Sequence, residues 1–222
     1  MATRIDDVAE PPAPRRSSVT VVNALAMVNV VVFLVWIWEG VPLEVMAGHF
    51  LVSWEHLVAG RVWVLLTAVF SHVLLFHLLV NMIVLLSFGP PLERVMGPGK
   101  FLVFYLVAGA IGSLAHALTS GFLIGMPGQP ALGASSALAG VLLLFSLSFP
   151  KARVLLFFFI PLPAIVAALA FVAIDIWGLI MQVEGEGLPI GHGAHLGGAV
   201  TGILYYLARG RTLREQAERL QA

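Results

Sequence analysis

Apolar residues in this chain gather in long, nearly unbroken runs rather than alternating with polar ones along a single face. Six runs stand out: 19–38, 62–88, 101–118, 132–147, 154–181 and 193–207. Runs of about 17–25 apolar residues match the thickness of a bilayer's hydrocarbon core, so the pattern predicts membrane-spanning helices. The segments between them carry the breaks. Gly89-Pro90-Pro91 is expected to end the second helix, and Pro127, Gly128 and Pro130 mark the loop before the fourth. Pro161 and Pro163 sit inside the fifth run and predict a kinked or broken first turn. Residues 39–61 are too polar to span, yet contain Leu43, Val45, Met46, Phe50 and Leu51, and read as a segment lying partly in the membrane interface. The first run is longer than a signal-peptide core and ends at Trp36-Ile37-Trp38-Glu39 rather than at a small-x-small site, so it reads as an uncleaved span with tryptophan anchors.

Composition agrees with the pattern. Hydrophobic residues make up 59% of the chain and charged residues 11%, where soluble domains carry about 25% charge; the mean hydropathy is +0.98. The formal net charge is zero, which gives no electrostatic basis for a nucleic-acid partner, and the absence of cysteine excludes disulfides, thiolate catalysis and thiolate zinc sites. The division expected is a disordered cytoplasmic tail at 1–18, one six-helix membrane domain at 19–207, and a charged cytoplasmic tail at 208–222. Six spans place both termini on one side. Eleven of the twelve basic residues then fall on that side and only Arg61 on the other, together with Glu39, Glu44, Glu55, Glu184 and Glu186. By the positive-inside rule the termini are cytoplasmic.

Charge adds less to the picture than the polar groups left inside the runs: His72, His77, Asn81, His116, Ser135, Ser136, Asp175, His192 and His195. Such groups are costly in lipid and mark function more often than chance. The predicted topology sorts them. His77 and Asn81, four apart, share one face near the outer end of span two; Ser135 opens span four from outside; His195 lies early in span six at a similar depth. A serine hydroxyl becomes a nucleophile when an adjacent imidazole takes its proton, so Ser135 and His195 suit acyl transfer. The Ser135 backbone N–H, the Asn81 amide and the His77 ring are candidate donors to the oxyanion. Gly198 and Gly202 form a G-x-x-x-G face that permits close helix approach, as do Ala139 and Gly140. Each residue alone has a plainer explanation. A lone membrane serine bonds its own helix, His195 could be a packing histidine, and Asp175 could pair structurally with a neighbouring helix. His116 and His192 show no evident partner in the sequence.

Taken together, these residues resemble the rhomboid family of intramembrane serine proteases. Gly133-Ala134-Ser135-Ser136 is similar to the family's G-x-S-G signature, Ala194-His195-Leu196-Gly197-Gly198 to its A-H-x-x-G, and His72, His77 and Asn81 to its H-x4-H-x3-N run. The resemblance spans about 19–207 and implies an all-α, six-helix bundle. It implies a Ser135–His195 dyad without a catalytic acid, cleaving transmembrane segments of membrane proteins near the outer face of a bacterial inner membrane, with no cofactor and no metal. It further implies His77 and Asn81 at the oxyanion, His72 and Gly133 in support, and span five with the loop from Gln182 to His192 as substrate gate and cap. Two positions depart from the pattern: Ser136 replaces the usual glycine, and Trp63-Val64 replaces the usual Trp-Arg of the first outer loop. Two other readings remain to be weighed: a catalytically silent relative that binds membrane clients, and a metal site on His72, His77, His192 and His195.

Overall fold

The structure is a computed structural model that describes residues 20–156 and 159–221. The tail expected at 1–18, with its flanking arginines, lies outside the described residues. The described residues are mostly helical, with one two-stranded hairpin and an isolated bridge between Val52 and Ala131. Four helices are long and apolar enough to cross a membrane: α1 (Thr20–Ile37), α5 (Leu75–Met96), α6 (Pro98–Leu118, prolonged by a π turn to Leu123) and α8 (Ala164–Val183). A shorter apolar helix, α7 (Ser135–Ser148), and a long final helix, α9 (His192–Gln221), complete the bundle. Short helices α2 (Leu43–Phe50), α3 (Trp54–Val58) and α4 (Val64–Thr67) fold the segment after α1 into a compact cap of its own.

Helix α7 lies at the centre. Eleven of its fourteen residues are buried, against neighbours on α5, α6 and α9. Backbone contact there depends on glycine. A Cβ on Gly202 would stand 2.5 Å from the Gly140 carbonyl oxygen, one on Gly140 would stand 2.8 Å from the Gly198 carbonyl oxygen, and one on Gly198 would collide with the Ser136 carbonyl. Phe101, Phe104, Tyr105, Leu85, Leu92, Val141 and Leu144 belong to the largest apolar core cluster.

Three sequence expectations are corrected. The run 62–88 is not one helix: α4 and a 3₁₀ turn (Ala68–Phe70) come first, and α5 starts only at Leu75. Nor do Pro90 and Pro91 end α5, which continues to Met96 and stops at Gly97, φ +80°. Proline's ring presets a helical φ, so the pair costs amide donors without forcing the chain out of the helix. The extra turn has a use. It carries buried Glu93 to the start of α1, where Oε1 accepts from the N–H groups of Thr20 (2.9 Å) and Val21 (3.0 Å) and Oε2 from that of Val22 (2.8 Å). Three orphan amides of a helix N-terminus are thereby satisfied by one anion, which the helix dipole also favours. The third correction is the start of the fifth run. Arg153–Leu156 (β1) and Ile160–Pro163 (β2) pair antiparallel, Arg153 opposite Pro163, and α8 begins only after the second proline. Alternate prolines at 161 and 163 exclude the helical ladder but are tolerated on the outer edge of a two-stranded ribbon.

Candidate active site

The site forms where the N-termini of α7 and α9 meet the N-terminal turns of α5 and the middle of α8. Ser135 is the first residue of α7. The backbone reaches it through Gly133 at φ +117°, a conformation that L side chains rarely adopt. Space makes the same demand, because a Cβ at 133 would lie 2.6 Å from His77 Cε1. The Gly133 N–H donates to the Ala68 carbonyl (2.9 Å), and the Ala134 N–H points at His72 Nε2 (3.4 Å). His72 is fully buried in the segment just before α5; burial and the neighbouring His77 ring push its pKa down to about 3. A neutral ring can present an Nε2 lone pair to that amide, which supports the turn leading into Ser135.

His195 sits one turn into α9 and faces Ser135 directly: Nε2 and Oγ are 2.9 Å apart. The other side of the ring meets a residue that the motifs do not include. His195 Nδ1 donates to Asp175 Oδ1 (2.8 Å), and His192 Nδ1 donates to the same oxygen (2.7 Å). Asp175 is buried in α8, and its Oδ2 has no partner among the described residues. Because a carboxylate only accepts, it fixes the proton of His195 on Nδ1 and leaves Nε2 free to accept from the serine. Phe171, one turn earlier on α8, lies against the imidazole with ring centroids 5.3 Å apart.

Asn81 and His77 line the same cavity, of about 610 Å³, with Gly133, Ser135 and His195. One amide hydrogen of Asn81 is already used, since Nδ2 donates to the His77 carbonyl (2.8 Å); the second remains for another acceptor. Valines 73, 80 and 84 with Leu138 and Leu142 supply apolar walls. Ser136 is buried and turned toward α6, its hydroxyl facing the Gly109 carbonyl at 3.5 Å. The extra bulk that replaces glycine there is accommodated by Gly112, where a Cβ would stand 2.5 Å from Ser136 Cβ. Ser136 therefore does not compete with Ser135 for the imidazole.

The remaining polar residues each have a place. His116 and His192, which lack an evident partner in the sequence, both have one: His116 Nε2 meets the Gln129 carbonyl (3.1 Å), and His192 meets Asp175. Gln182 Nε2 donates to the carbonyls of Leu188 (2.6 Å) and Ile190 (2.7 Å), tying the loop after α8 back onto the helix. Arg61 Nη1 reaches the Gly48 carbonyl (3.5 Å), and Trp63 stacks on His49, so the segment after α1 is held without the Trp-Arg pair. Asp175 is the candidate functional residue that motif reading leaves out. The available signal is its being the lone acidic residue of the fifth run, set against two histidines three apart, His192 and His195, which share a helix face.

A family model described as the Rhomboid domain matches residues 59–212. "RHOMBOID-like protein 12, mitochondrial" of Arabidopsis thaliana is 35% identical over 192 residues, covering 81% of this chain and 55% of the relative. "Rhomboid protein 1, mitochondrial" of Saccharomyces cerevisiae is 35% identical over 207 residues, covering 90% and 57%. "Presenilin-associated rhomboid-like protein, mitochondrial" of Homo sapiens is 35% identical over 144 residues, covering 64% and 36%. The chain thus spans little more than half the length of the first two relatives.

Proposed function

Because the chain belongs to the rhomboid family and Ser135 Oγ stands 2.9 Å from His195 Nε2, we propose that it is an intramembrane serine endopeptidase acting on transmembrane segments of other membrane proteins. That contact carries the reading. In the first step Ser135 gives its proton to His195 Nε2 while Oγ attacks the scissile carbonyl carbon. The oxyanion takes hydrogen bonds from the free Asn81 amide hydrogen, the His77 ring and the Ser135 backbone N–H. His195 then passes its proton to the departing amine, and a water activated by the same ring hydrolyses the acyl-enzyme. Asp175 touches no reacting atom. It holds the proton of His195 on Nδ1 and stabilises the imidazolium, which makes the Ser–His pair a Ser–His–Asp set rather than a bare dyad. The Ser135–His195 contact also disfavours a silent client-binding relative, for which an aligned nucleophile and base have no purpose.

The same reading gives the protein six spans in an inner (plasma) membrane with cytoplasmic termini, counting α7 and α9 with the four long apolar helices. At about 1.5 Å per residue, α7 is roughly 21 Å long, less than a hydrocarbon core of about 30 Å. A helix so short holds Ser135 below the outer surface, and the cavity above it brings water. Substrate enters past α8 and the loop 184–191, and a small side chain at the cut fits beside His77 and Gly133.

The test is cleavage of a model transmembrane substrate by protein reconstituted in vesicles. Wild type is expected to cut it, and Ser135→Ala and His195→Ala to leave it whole. Equal cleavage by Ser135→Ala would remove the proposal, and fluorophosphonate labelling at Ser136 would move the nucleophile by one residue.

A further inference from the structure

Proteolysis as derived above uses Ser135, His195 and one oxygen of Asp175, and has no task for His192. Yet His192 is buried at the start of α9 with its Nδ1 aimed at the atom that already receives His195. Its ring is pressed so closely on α8 that any Cβ at Gly178 would collide with it. Two imidazole nitrogens and a carboxylate oxygen consequently lie within 4.8 Å of one another, in a buried place where the carboxylate's second oxygen is unpartnered. Of the four histidines weighed from the sequence as a metal site, only His192 and His195 share these donors with Asp175, whereas His72 and His77 pack on each other beside Gly133.

We propose that Asp175, His192 and His195 form a Zn²⁺-binding site whose occupation switches the protease off. Two imidazoles and a carboxylate are a donor set that Zn²⁺ accepts, with its fourth position left to water from the cavity that reaches Gly191 and His195. Bond lengths of about 2.0–2.2 Å set tetrahedral ligands about 3.3–3.6 Å apart. The carboxylate therefore backs away from the imidazoles as the ion enters, and the unpartnered Oδ2 gives it the freedom to turn. The protons of both rings move from Nδ1 to Nε2, so none need be released. On His195 the moved proton faces Ser135 Oγ. The base becomes a donor and cannot take the serine proton. The inhibitory part of this inference rests on the proteolytic reading, whereas the binding part does not.

The experiment separates the two. Chelator-treated Ser135→Ala protein in detergent is titrated with Zn²⁺ by calorimetry and with Co²⁺ by visible absorption. One equivalent is expected, with the intense bands of four-coordinate cobalt, and His192→Ala or Asp175→Asn in that background should weaken binding at least about 10- to 100-fold, the cost of losing even an outer partner of a metal ligand. In protein with the serine intact, Zn²⁺ should suppress fluorophosphonate labelling and a chelator restore it. His192→Ala, measured against its own metal-free rate, should be insensitive. Absence of binding, or binding that His192→Ala leaves unchanged, overturns the site. His192-dependent binding with labelling unaffected overturns the switch. Metal-free protein that never labels or cleaves overturns the proteolytic reading while the site stands.

Discussion

Helices α7 and α8 are both apolar runs, and each contributes one residue to the proposed catalytic group, yet they are attached to the molecule in opposite ways. Helix α7 buries eleven of fourteen residues and meets α9 backbone to backbone through Gly140, Gly198 and Gly202. Helix α8 buries five of twenty: Ala164, Ala168, Asp175, Gly178 and Gln182. They fall at spacings of four, seven, three and four, a single narrow stripe. Its specific ties are polar. Ser146 on α7 donates to the Ala164 carbonyl (3.1 Å), Asp175 receives two histidines, and Gln182 holds the following loop. In lipid, apolar surface gains little by leaving the solvent, so close packing of small residues and hydrogen bonds must join helices instead. Here Ser135, the proposed nucleophile, is mounted by the first means and Asp175 by the second.

That contrast can be broken in order of effect. The largest loss should come from Ser135→Ala, which removes chemistry but not packing: turnover of a transmembrane substrate should fall by roughly 10⁴-fold or more with the thermal unfolding midpoint in detergent essentially unmoved. Asp175→Asn is next. It keeps the shape of the α8 stripe but allows the wrong imidazole tautomer, and activity should drop roughly 10²- to 10⁴-fold, the upper end being the effect of the same change in a soluble serine protease. A loss no greater than the fall in folded fraction would reduce Asp175 to a structural tie. Third, Gly202→Val drives a side chain into the Gly140 backbone. Overpacking should cost about 1–3 kcal/mol or more, read as a lower unfolding midpoint, with fluorophosphonate labelling per folded molecule preserved. Smallest, Ile174→Ala on the exposed face of α8 should change stability by less than about 0.5 kcal/mol and leave cleavage intact. If Ile174→Ala were as damaging as Gly202→Val, α8 would be packed far more tightly than its narrow stripe implies.

Much of this architecture is written in one dimension. Apolar runs of membrane length, a serine between glycines and a histidine before a glycine pair can be read without coordinates, because each needs only local spacing. What escapes are relations between helices. Asp175 is visible as an acid in an apolar run, but which neighbour it faces depends on how α8 is rotated against α9, and the uniform hydrophobicity of residues 164–183 carries no phase to fix that rotation. The partners of His116 and His192 are lost for the same reason. The hairpin of Arg153–Leu156 and Ile160–Pro163 is hidden because an apolar strand and an apolar helix start share one composition; only the alternate prolines distinguish them. Likewise Pro90-Pro91 reads as a stop, since the use of the turn beyond it, Glu93, is a contact with residues some seventy positions earlier.

That last contact also has a bearing on biogenesis. The amides at the start of α1 are completed by a side chain that leaves the ribosome only after α5 has been made. Until then the first helix is threaded but unfinished at its end, and the arrival of Glu93 serves as a late signature that the second long helix has come to rest beside the first. A chain stalled between the two carries helix amides without their acceptor, so Glu93→Gln should show itself less in the turnover of the folded protein than in how much of it accumulates.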